Sequence, residues 1–114
     1  MVQELLRRAI ERQIQLVMSV INYGEVLYRS IRDRGREQAT VLMADFEAYP
    51  IALVAIDLDL AQASARIKAD HPIAFADCIA AALAQRLDAA VVTGDADFRR
   101  LEHLVRVEWL PATT

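Results

Sequence analysis

Short apolar runs alternating with stretches of helical periodicity constrain this chain more than any other feature. Ile14–Met18, Ile51–Ile56 and Ala89–Thr93 are brief and rich in β-branched or small apolar residues, which marks them as strands, the last two continuous enough to be buried. Between them lie helical patterns. Val2, Leu5, Leu6, Ala9 and Ile10 recur at three and four residues. A second helix follows Ser19, a plausible N-cap, and runs to about Arg34, with Gly35 as its stop. A third covers about Glu37 to Ala48 before Pro50 interrupts it. A fourth starts from Asp57 or Asp59 and ends near His71-Pro72, and a fifth spans Ile73 to Leu87. Asp97 to Leu101 reads as one or two helical turns, and Val105–Trp109 alternates like an edge strand. Strands separated by helices predict an α/β fold with a mainly parallel sheet, whose ligands sit beyond the C-terminal ends of the strands.

The length of 114 residues suits one domain over 1–114, and 55% hydrophobic residues supply its core. A formal charge of -3 excludes a global basic field for nucleic acid, so any such contact needs a local patch. One cysteine, Cys78, cannot form an internal disulfide and reads as a small buried apolar residue, consistent with a cytoplasmic protein. Charges interrupt every apolar cluster of the N-terminal segment, so neither a secretory signal nor a membrane span is expected.

Chemistry is concentrated in carboxylates. Asp77 lies in Ile73-Ala-Phe-Ala-Asp-Cys-Ile-Ala-Ala-Ala-Leu-Ala84, apolar on all sides and therefore expected to be buried, where a charge needs a partner, a proton or a metal ion. No Lys or Arg stands within one helical turn of it, and the alternative is an acid at the start of a helix. Thr93-Gly94-Asp95-Ala96-Asp97 puts two acids at the end of a strand, where one could equally cap the turn carrying Phe98. Glu25 flanks the core stripe of its helix, and its neighbour Gly24 is consistent with close packing, while the same position equally suits a solvated helix residue. Together these acids suit a hard cation, Mg²⁺ or Mn²⁺, which can activate a water for phosphodiester hydrolysis. No Gly-rich phosphate loop, zinc spacing or Ser-His-Asp set is present, and His71 and His103 are expected as loop or surface residues. Arg99 and Arg100 follow the acidic turn and suit phosphate contacts. Arg29, Arg32 and Arg36 read as a solvated face paired with Asp33 and Glu37.

Ser19-Val-Ile-Asn-Tyr-Gly-Glu25-Val-Leu-Tyr28, Phe75-Ala-Asp77-Cys-Ile-Ala-Ala-Ala-Leu-Ala84, Val91-Val-Thr-Gly-Asp95-Ala-Asp97-Phe98 and the closing Val107-Glu-Trp-Leu110 resemble, in that order, the PIN domain of VapC-type toxins. The resemblance implies a three-layer α/β/α fold and a Mg²⁺- or Mn²⁺-dependent endoribonuclease. Its partners would be RNA, a cognate antitoxin and a second copy of the chain in a homodimer. Glu25, Asp77 and Asp95 match the acidic metal ligands, with Asp97 as an additional acid; Thr93 matches an orienting hydroxyl and Ser19 the hydroxyl that opens its motif. Such domains normally begin with a strand ending in Asp, and none precedes the Leu5–Ile10 helix here. The first strand and first catalytic Asp are therefore expected to be missing. A catalytically inactive PIN-like module that pairs with an antitoxin or sister chain is the alternative.

Overall fold

A computed structural model describes residues 2–110, with side chains from Gln3 onward, so the Val2 side chain in the first helical stripe lies outside the described residues. The order is α1 (Val2–Ile10), β1 (Leu16–Ser19), α2 (Val20–Arg34), α3 (Arg36–Glu47), β2 (Ile51–Val54), α4 (Leu58–Asp70), α5 (Phe75–Leu87), β3 (Ala90–Thr93), a 3₁₀ segment (Ala96–Leu101) and β4 (Arg106–Trp109). Every element expected from the sequence is present. The chain forms two compact units, 1–55 and 56–114.

In the first unit β1 pairs with β2 in parallel, from Leu16 opposite Ile51 to Ser19 opposite Val54. Ser19 caps α2 as its sequence suggests: Oγ accepts the Asn22 N–H at 3.0 Å and donates to Asn22 Oδ1. Gly35 ends α2 at φ 84° and ψ 165° and is the turn into α3. These two helices meet through an edge-to-face contact of Tyr23 with Phe46, ring centroids 5.7 Å apart. Leu5, Ala9, Ala39 and Met43 are buried here.

In the second unit β3 pairs with β4, also in parallel, from Ala90 opposite Arg106 to Thr93 opposite Trp109. The Leu110 N–H donates to the Thr93 carbonyl at 2.8 Å and extends that ladder by one bond. Asp57, rather than Asp59, caps α4 through the Leu60 N–H at 2.7 Å. Its carboxylate also takes a two-pronged contact from Arg86 near the end of α5, at 2.7 and 3.0 Å. The core combines Leu60, Ile67, Ile79, Leu83, Phe98 and Leu101 with the alanines of α5, and Cys78 is fully buried as expected.

One expectation needs correction. The continuous apolar runs predict buried strands, yet Leu53 in β2 is 48% and Val92 in β3 38% exposed. Successive side chains in a strand point to opposite faces, so Val91 enters the core while Val92 leaves it. The expected parallel pairing is present in both ladders, β1-β2 and β3-β4.

Candidate functional site

The C-terminal end of β3 carries the best-defined part of the site. Thr93 Oγ1 accepts the Asp95 N–H at 3.0 Å, and Asp95 Oδ1 in turn accepts the Asp97 N–H at 2.9 Å. One hydroxyl and one carboxylate thus fold the chain over itself and start the 3₁₀ segment. The Thr93 hydroxyl contacts the turn through the backbone of Asp95. Asp95 and Asp97 are both exposed. Capping uses Oδ1 of a group that has two acceptor oxygens, so it is compatible with a cation at the same carboxylate.

Asp77 corrects the sequence reading. It is half-buried rather than buried, because α5 begins at Phe75, itself 45% exposed, and Asp77 falls in the first turn. A carboxylate there faces the free amides and positive end of the helix dipole, which removes much of the cost expected for a mid-helix charge. The helix has no side-chain cap of its own at Ala74. Tertiary structure also brings a cation that local spacing could not reveal: Lys68 Nζ donates to the Ile73 carbonyl at 2.5 Å, just before α5. Burial raises the pKa of the Cys78 thiol, opposed by the Lys68 charge and aided by that of Asp77. Two residues, Asp88 and Ala89, connect α5 to β3.

Glu25 lies in the first unit, on α2, half-buried and 3.7 Å from Arg29. Arg29 of the arginine stripe thus has a carboxylate neighbour on its own helix other than Asp33. Arg32 instead lies over the Tyr28 ring at 5.2 Å, and Arg29 and then Arg32 hold the Tyr28 hydroxyl below its ordinary pKa. Gly24 is not a point of close packing: a Cβ there would meet nothing within 4 Å. Ser19 is buried and occupied as a cap.

Arg99 and Arg100 are exposed, with the Arg99 guanidinium 6.0 Å from the Trp109 ring centroid on β4. That contact limits the directions available to Arg99 and leaves it beside the acidic turn. An open cleft of about 630 Å³ in the first unit is lined by residues including Arg12, Gln15, Tyr49 and Pro50, and by none of the candidate acids. Among the described residues, no three His, Cys, Asp or Glu side chains are gathered into a group that could hold a metal ion. One pairing lay beyond sequence reasoning: His71 and His103, expected as separate loop or surface residues, have Nε2 atoms 3.3 Å apart. Thirty-two positions separate them, and no local pattern signals the contact.

Parallel strands joined through helices, with carboxylates at the end of β3 and in the first turn of α5, define an α/β protein with an acidic rim. The family follows from the whole chain: a model of the PIN domain matches residues 3–104, and the protein belongs to that family. Its fold is similar to a chain in the DNA-bound VapBC structure from Salmonella typhimurium, with TM-score 0.65, 21% identity, and 81% and 73% of the two chains covered. VapBC-1 from nontypeable Haemophilus influenzae gives TM-score 0.64 and 22% identity over 83% and 75%. A toxin-antitoxin complex from Klebsiella pneumoniae gives TM-score 0.60 and 18% identity over 91% and 84%. No curated protein matches the chain.

Proposed function

We propose that this PIN domain is the toxin of a VapBC-type toxin-antitoxin pair and a metal-dependent endoribonuclease that hydrolyses RNA phosphodiester bonds. The observation that carries this reading is the turn after β3, where Thr93 and Asp95 are locked together and present two exposed acids at the end of a strand. Family membership and the likeness to VapBC structures support it. Asp77, Asp95 and Asp97, all carboxylates of the second unit, are the donor chemistry that a hard cation takes. Bound Mg²⁺ or Mn²⁺ would lower the pKa of a water and stabilise charge on the phosphoryl oxygens. Asp95 would present its carboxylate from a turn fixed by Thr93, while Arg99 and Arg100 would hold the RNA backbone. A cognate antitoxin, a homodimer and a cytoplasmic setting belong to the same proposal. Among the described residues no helix is long and apolar enough to cross a membrane.

The test is cleavage of labelled RNA by antitoxin-free protein with Mn²⁺ or Mg²⁺, with chelator, and with Asp77→Asn. Cleavage should require the metal and fall at least about a hundredfold in the variant, the scale of losing a group that acts on the transition state. Equal activity in wild type and variant would remove Asp77 from the site. The lack of a gathered group of three metal-ligating side chains among the described residues favours a second reading, an inert PIN-like module that binds an antitoxin or sister chain. Complex formation with no metal-dependent cleavage would select it.

A further inference from the structure

We infer that His71 and His103 form a docking point for a first-row transition-metal ion of the Zn²⁺, Ni²⁺ or Cu²⁺ type, separate from the carboxylates and independent of the proposed ribonuclease activity. Both residues lie in the second unit. His71 is the residue that ends α4, and His103 stands in the turn between the 3₁₀ segment and β4.

The tautomer of His71 is set by its surroundings. Its Nδ1 is 2.7 Å from the Ile67 carbonyl, which can only accept, so Nδ1 carries the proton and the lone pair of the neutral ring is on Nε2. A carbonyl behind a metal-binding imidazole fixes ring orientation and raises the basicity of the ligating nitrogen. That nitrogen is aimed at the second ring, with Nε2 of His71 and Nε2 of His103 separated by 3.3 Å.

Without a metal the 3.3 Å separation lets His103 Nε2–H donate to the His71 Nε2 lone pair, and the same separation suits two nitrogens on one ion. Two imidazoles bound at about 2.0–2.1 Å to one tetrahedral ion have nitrogens roughly 3.3–3.4 Å apart and ring centroids roughly 5.2 Å apart. The observed values are 3.3 Å and 5.2 Å. Imidazole nitrogen suits Zn²⁺, Ni²⁺ and Cu²⁺, whereas Mg²⁺ and Mn²⁺ prefer oxygen, so the two chemistries select different ions.

The backbone on both sides is held. The His71 N–H donates to Lys68, and beyond His103 the Leu104 and Val105 N–H groups both donate to the Leu101 carbonyl, at 2.9 and 3.1 Å. Little ordering is therefore left to the binding step. With two protein ligands the remaining positions go to water, and the ion would link the end of α4 to the turn before β4.

Zn²⁺ titrated into tag-free protein, followed by the imidazole Cε1–H signals in NMR and by calorimetry, tests this assignment. Both ring signals should move together over one equivalent. His71→Gln and His103→Gln should each weaken the event at least about tenfold, while Asp77→Asn and Asp95→Asn leave it in place. Circular dichroism confirms folding, and exposed His103 decides the matter should His71→Gln not fold. Movement of one ring alone, unchanged affinity in a folded histidine variant, or loss of the event in a carboxylate variant overturns the proposal.

Discussion

Asp57 is asked for two things by one carboxylate, capping α4 and receiving Arg86 from α5. Arg86 first, and then the Leu60 N–H, hold its pKa below the ordinary 3.8. A group that binds its proton less readily when folded stabilises the fold above its unfolded pKa, and that contribution disappears as pH falls through the folded value. Acid unfolding below about pH 4 should therefore be shallower in Asp57→Asn, which should also be the less stable protein at pH 7; parallel acid-unfolding curves for the two would contradict this. Ser19 makes a simpler case. Removing its hydroxyl leaves the Asn22 N–H without its cap, so Ser19→Ala should cost about 1 kcal/mol, read as a lower urea midpoint at unchanged slope. The Ser19 cap was legible because a hydroxyl before a helical pattern is a local signal. The surroundings of Asp77 were not, since Lys68 donates to the Ile73 carbonyl just before α5 across the turn from α4, which no helical spacing predicts.

The glycines of the α2–α3 pair separate propensity from geometry at the level of the element. Gly24 lies inside α2 where an added Cβ would touch nothing, so Gly24→Ala should stabilise the protein by roughly 0.5–1 kcal/mol. Gly35 joins the helices at φ 84° and ψ 165°, a region that side chains other than glycine rarely enter, and Gly35→Ala should cost about 1–3 kcal/mol. Thermal or urea unfolding of the two variants should move in opposite directions. Element type and order were readable throughout, since period and punctuation are local properties. Burial of the strands was not: an apolar run says that Val92 can be covered, and the structure leaves it 38% exposed. The start of α5 was similarly hidden, because Ala74 has no capping side chain to announce it and Asp77 then looked like a mid-helix charge.

Over the whole molecule, the net charge of -3 and the local chemistry no longer conflict. The acids on which the functional proposal depends contribute to that charge, and Arg99 and Arg100 stand directly after the acidic turn. Order of motifs along the chain, rather than any one of them, indicated the PIN family, and the match over residues 3–104 shows it. Site geometry was less accessible than family, because sequence ranks acids by their neighbours and cannot show that Thr93 and Asp95 are tied together or that Glu25 pairs with Arg29. Paramagnetic broadening by substoichiometric Mn²⁺ in the amide NMR spectrum tests the central proposal, that these carboxylates hold a hard cation. Signals of Asp77, Asp95 and Asp97 should broaden first and recover in an Asp77→Asn/Asp95→Asn double variant. Broadening that spares these residues, or that persists unchanged in the double variant, would contradict it.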